Sequence, residues 1–175
     1  MLGRLAPRLE ALGWQQSVVS LQGRGPAAGM LDAAGIDVIP TAPLTSISSL
    51  PALPALASAI RRAGADIVQG WMYHGNLASL LARAGVPVVW CIRQCVYDLH
   101  DEKPALRNAI RAGAIASRWA DHTIYNSVLS RAQHASLGYR TARSTVIPNG
   151  FDVAQLAPDR AAREASRRML DVRPD

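Results

Sequence analysis

The chain has 175 residues, 49% of them apolar and 18% charged, and a formal net charge of +6. That length suits one domain with a substantial core, and that balance excludes a disordered chain. Two cysteines do not staple a domain of this size. No stretch nears 18 apolar residues, and residues 1–12 hold no unbroken apolar run, so the sequence reads as neither disulfide scaffold, membrane span nor secretory leader.

The elements follow in chain order from spacing and punctuation. Leu2, Leu5, Leu9 and Leu12 recur at helical intervals over residues 1–12, and Gly13 supplies a stop. Residues 17–21 are a short strand of β-prone residues. A helix is expected over 24–35, a strand over 36–39 stopped by Pro40, and a polar loop over 41–49. Residues 51–63 form a helix with Leu53, Leu56, Ala57 and Ile60 on one face and Gly64 beyond it. A strand over 66–69 precedes a helix over 75–84 that ends at Gly85. Residues 86–92 are the strongest strand, a nearly continuous apolar run of the kind buried on both faces. After a loop to Asp101, the longest helix spans 102–119. A strand over 121–125, a helix over 127–137, a strand over 144–147 and a basic helix over 159–170 complete the chain.

Strict alternation of short strands and helices predicts an α/β fold, a Rossmann-like parallel sheet with helices on both faces and right-handed connections. Residues 1–152 are the domain, and 153–175 are a linker and helix leading out of it. In the last strand, Val146-Ile147 runs into Pro148, which cannot continue a ladder, and Asn149-Gly150 turns the chain away.

Ligands of open α/β sheets lie outside the carboxyl ends of the strands. Those ends carry Tyr73-His74-Gly75-Asn76, Arg93-Gln94, Asn126-Ser127 and Asn149-Gly150. Each has a structural alternative. His74 is equally a backbone-satisfied loop histidine, Asn76 and Ser127 are good helix caps, and Arg93 fits a salt bridge to Asp98 or Asp101. Turn chemistry explains Asn149-Gly150, and Asp152 suits a turn cap. Gln22-Gly23-Arg24-Gly25-Pro26 lacks the spacing of a dinucleotide loop. No nucleophilic triad, paired carboxylate or metal-ligand spacing appears, so no bound metal is expected. Cys91 and Cys95 read as reduced packing residues of a cytosolic protein. The scattered arginines read mostly as solvated helix faces. Arg160, Arg163, Arg167 and Arg168 are denser but lack aromatics to stack on bases, so nucleic acid is not expected as a partner.

Several segments together carry a family resemblance: residues 5–14 and 18–21; Ala34-Gly35-Ile36-Asp37-Val38; residues 66–77 with Gln69-Gly70-Trp71-Met72-Tyr73-His74-Gly75-Asn76; Val88-Val89-Trp90-Cys91-Ile92-Arg93-Gln94; Tyr125-Asn126-Ser127; and Val146-Ile147-Pro148-Asn149-Gly150-Phe151-Asp152. With these the chain resembles the N-terminal domain of a GT4-type retaining glycosyltransferase of the GT-B fold. The resemblance implies a two-domain enzyme that moves a sugar from a nucleotide-diphosphate donor to an acceptor hydroxyl with retention. The acceptor would be a glycan, a lipid-linked molecule or a small molecule. No cofactor is implied beyond the nucleotide-sugar co-substrate. His74 would lie near the transferred sugar, with Tyr73, Asn76, Arg93 and Asn126 contacting substrate. The implied location is cytoplasmic, with peripheral contact at the inner face of the membrane. Two parts of the family pattern are unmatched: the first strand with its Gly-Gly loop, and the C-terminal donor domain. The sheet is therefore expected to have an unfilled slot between strands 17–21 and 66–69, or to close it by pairing them. Such a fragment is expected to have uncovered apolar surface and no appreciable turnover on its own. The alternative is a non-catalytic binding module that uses its basic surface.

Overall fold

The computed structural model describes residues 2–25, 27–41, 51–151, 153 and 158–172. Its elements alternate as expected: α1 (Leu2–Glu10), β1 (Ser17–Ser20), α2 (Ala28–Asp32), β2 (Asp37–Pro40), α3 (Leu53–Arg62), β3 (Val68–Trp71), α4 (Met72–Leu81), β4 (Val88–Ile92), α5 (Pro104–Ala116), β5 (His122–Tyr125), α6 (Val128–Ser136), β6 (Ser144–Val146) and α7 (Arg160–Met169). Short 3₁₀ turns cover Leu99–Asp101 and Ser117–Trp119. The loop expected at 41–49 lies outside the described residues apart from Thr41, and so does Asp152.

Every strand pair is parallel, but the strands form two sheets, β1-β2 and β3-β4-β5-β6. Among the described residues no strand lies between β1 and β3. A cavity of about 920 Å³ separates them, lined by both strands and by residues of α1, α2, α3 and α4. Of the two arrangements expected from sequence, the unfilled slot is the one observed.

The main core is built on β4. Val88, Trp90, Cys91 and Ile92 are all fully buried, and Ile110 of α5 and Tyr125 of β5 pack with them. Burying each large apolar side chain here contributes roughly 1.5–3 kcal/mol. Two smaller clusters flank the slot. Ala6, Leu31, Ile36 and Val38 hold α1 and α2 on the small sheet. Leu56 and Ile60 of α3 pack against Ala78 of α4 and Ala82 just beyond it, with Val19 and Val68 beside them.

Helix ends follow the punctuation. Gly64 adopts φ of +60° just past α3, a conformation that only glycine takes without strain, whereas α4 stops at Leu81, four residues before the stop expected at Gly85. In α1 the stripe falls short of expectation: the helix stops at Glu10, and Leu12 stands exposed.

The β3–α4 junction departs most from the sequence reading. The helix expected at Gly75 begins at Met72, directly after the strand. Met72 itself makes the turn at φ +59°, an uncommon conformation for a side chain of its size. Gly70 permits the close return of the helix: a Cβ there would meet Asn76 Cα and Ser79 Oγ, each at 2.7 Å.

Candidate functional site

The carboxyl ends of β3, β4, β5 and β6 share one edge, as parallel pairing requires. Because α4 starts at Met72, the residues expected to act together at the end of β3 point in different directions. His74 lies half-buried at the mouth of the slot and has no hydrogen-bond partner among the described residues. Its imidazole is free to meet a ligand.

Tyr73 turns inward and is only 1% exposed. Its hydroxyl lies 2.9 Å from His134 Nε2. Asn76 is equally buried and sits inside the helix, so it is not the N-cap that its residue type suggested. Its Oδ1 accepts the Cys91 N–H at 3.3 Å, supplying the acceptor where β3 has turned away into α4. Its Nδ2 is buried without a partner. Asn76 thus pins α4 to the end of β4.

Arg93 follows β4. Its guanidinium stacks on the Trp71 ring, 5.5 Å from the centroid. Nη1 lies 3.4 Å from Cys91 Sγ, Nη2 donates to Asn149 Oδ1, and Nε is buried with no partner. The salt bridge to Asp98 or Asp101 does not form. Asp98 instead accepts the His100 N–H at 2.7 Å and approaches its ring, and these contacts hold its carboxyl below the usual range. Asn126 continues β5: its N–H donates to Ile92 O at 3.2 Å, and its Oδ1 is buried and unbonded. Ser127 is the cap expected of it, accepting the Ser130 N–H at 3.0 Å.

Below this edge lies a polar network that sequence reasoning did not find. His134 of α6 is fully buried. Its Nδ1 lies 2.7 Å from Ser130 O, which can only accept, so Nδ1 carries the proton and Nε2 accepts from Tyr73. Tyr139 packs edge-on against the ring at 4.9 Å, and its own hydroxyl donates to Ile110 O at 2.9 Å. Burial lowers the His134 pKa and raises those of Tyr73 and Tyr139, while Tyr125 is pushed up to about 12. All four groups are therefore neutral near pH 7. No sequence pattern marked His134, which sits singly in a mixed helix.

The edge thus offers a free imidazole, a guanidinium held only by neutral groups, and an amide oxygen without a donor. Among the described residues, no group of three or more His, Cys, Asp or Glu could hold a metal ion.

The model of glycosyltransferase family 4 matches residues 1–155. The chain belongs to glycosyltransferase family 4. Solved structures agree in fold. HepE from Anabaena, crystallised with UDP and glucose, superposes with a TM-score of 0.72 at 21% identity, over 97% of this chain and 45% of HepE. A glycosyltransferase from Rickettsia africae superposes with a TM-score of 0.64 at 16% identity, over 99% of this chain and 46% of that one. A sucrose-phosphate synthase chain from Thermosynechococcus elongatus gives 0.57 at 13% identity, over 97% of this chain and 93% of its own. The fold is GT-B-like, and the chain spans less than half the length of the first two structures. No curated protein matches.

Proposed function

We propose that the protein carrying this chain transfers a sugar from a nucleotide-diphosphate donor to an acceptor hydroxyl with retention, and that residues 1–152 form the acceptor-side half of the cleft. The family match over residues 1–155 carries this reading. HepE, similar in fold, was crystallised with UDP and glucose, which supports a nucleotide-sugar donor here. His74 contacts the transferred sugar, its imidazole open at the end of β3. Arg93 and Asn126 contact substrate from the ends of β4 and β5. Tyr73 and Asn76 serve the site by holding the first turn of α4, which carries His74, against His134 and β4.

The departing nucleotide diphosphate needs cationic or amide donors, and a second domain supplies most of them. The reading carries a cytoplasmic location with peripheral membrane contact, and no described helix is long and apolar enough to cross a membrane.

The test is a donor screen with UDP- and GDP-sugars. It uses the natural gene product, and the anomeric configuration of the product is read by NMR. A product with the donor's configuration is expected. An inverted product would overturn retention, and absence of transfer from every donor would favour a non-catalytic binding module.

A further inference from the structure

We propose that His134 is a positioning residue: through Tyr73 it fixes where the first turn of α4 holds the His74 imidazole. The consequence for catalysis rests on the proposed contact of His74 with the transferred sugar. The positioning itself rests on the packing of α4 against α6.

The first turn of α4 has little local support. Its N-cap, Trp71, makes no side-chain capping bond, and no acidic residue stands in the turn. Met72 opens it at φ +59°, a conformation that persists only where the surroundings over-determine it. Gly75, a residue of low helix propensity, follows. Tertiary contact must therefore shape this turn, and two buried side chains provide it. Asn76 accepts the Cys91 N–H at 3.3 Å. Tyr73 reaches α6, its hydroxyl 2.9 Å from His134 Nε2 and its ring stacked on the imidazole with centroids 5.7 Å apart.

Successive helix residues stand about 100° apart around the axis. With Tyr73 drawn into the core, His74 is turned to the side, where it lines the slot. A displacement of Tyr73 is thus passed directly to the neighbouring imidazole.

His134 is itself firmly held. It is fully buried, and the rings of Tyr73, Tyr125 and Tyr139 close round it. A buried imidazole is unfavourable unless its nitrogens are bonded, and here both are. Nδ1 donates to Ser130 O at 2.7 Å, which turns Nε2 to Tyr73 as an acceptor. Ser130 is fastened in turn: its Oγ donates to Gln94 O at 2.7 Å, and its N–H donates to Ser127 Oγ at 3.0 Å. The imidazole is thereby tied to the residues that follow β4 and β5, and it gives α4 a fixed point beneath the site.

The test follows the His74 ring by NMR in the protein labelled with isotopic histidine, its ring C–H signal assigned by its loss in His74→Ala. Tyr73→Phe keeps the ring and deletes the bond. It should shift the His74 signal and leave that of exposed His100 in place. His134→Asn deletes the same bond from the other side, since its amide can replace Nδ1 but nothing replaces Nε2. It should shift the signal likewise. Tyr139→Phe removes a neighbouring bond, to Ile110 O, and should not move it. Far-UV circular dichroism checks that each variant is folded; should Tyr73→Phe not fold, His134→Asn decides. An unmoved His74 signal in the folded variant, or an equal shift in Tyr139→Phe, would overturn the proposal.

Rates of sugar transfer by the natural gene product read the consequence. Tyr73→Phe should lower kcat about tenfold or more, as misplacement of a reacting group does, and should cost nothing further once His74 is replaced by alanine. An equal loss in both backgrounds would show that the bond does not act through His74, and would overturn the proposal. If His74→Ala alone left kcat unchanged, the contact of His74 with sugar would fail, and the ring signal would still decide whether His134 sets its position.

Discussion

Tyr73 and His134, 61 residues apart in sequence, meet through a hydroxyl that lies 2.9 Å from imidazole Nε2. The contact ties the first turn of α4 to α6 beneath the candidate site. The tautomer is set by Ser130 O on Nδ1, so Nε2 has Tyr73 as its hydrogen-bond donor. Tyr73→Phe keeps the ring and removes that donor. A fully buried imidazole nitrogen is then unpaired, at a cost of about 1–3 kcal/mol. The midpoint of urea unfolding should fall accordingly, and an unchanged midpoint would show that the bond adds nothing.

The same histidine makes stability pH-dependent. Burial lowers its folded pKa below the ordinary 6.5, and the rings facing it (Tyr73, Tyr125 and Tyr139) are neutral and offer no counter-charge. Between the two pKa values the unfolded chain binds more protons than the native one, so stability rises with pH there. The contribution is fully present above the unfolded pKa and is lost as pH falls from about 6.5 through the folded value. Unfolding midpoints measured from about pH 7.5 down to about pH 5 should drop more steeply in the unchanged chain than in His134→Gln. Parallel slopes would contradict this.

The slot predicts uneven stability within the fold. β1 and β2 form a two-stranded sheet over a small cluster, whereas β4 is flanked by β3 and β5 and is buried along most of its length. A lone strand pair is marginal in water, and sub-global opening follows contact density. Amides of residues 17–20 and 37–40 should therefore exchange about tenfold or more faster than those of residues 88–92. Equal protection in both sheets would show that the slot does not weaken the fold.

Much of this architecture was legible because local signals agreed with it. Gly64 ended its helix, Ser127 capped α6, and the run around Trp90 formed the most buried strand. The turn at Met72 was not legible, because a non-glycine residue at positive φ carries no mark in sequence. That turn moves the start of α4 three residues upstream of Gly75 and sends Tyr73 and Asn76 into the core. Arg93 was recognised as an edge cation. Its stacking on Trp71, 22 residues away, depends on tertiary placement, which spacing does not encode.

The proposed contact between His74 and the transferred sugar of a nucleotide-sugar donor is open to direct test. The most direct measurement is the initial rate of sugar transfer by the natural gene product, unchanged and as His74→Ala, with the preferred donor at saturation. His74 has no hydrogen-bond partner among the described residues and is half-buried at the slot, so the substitution should leave the unfolding midpoint nearly unchanged. The account predicts a loss in kcat of roughly a hundredfold or more, within the range for a positioned acid–base group. A variant that transfers sugar at the unchanged rate would contradict it.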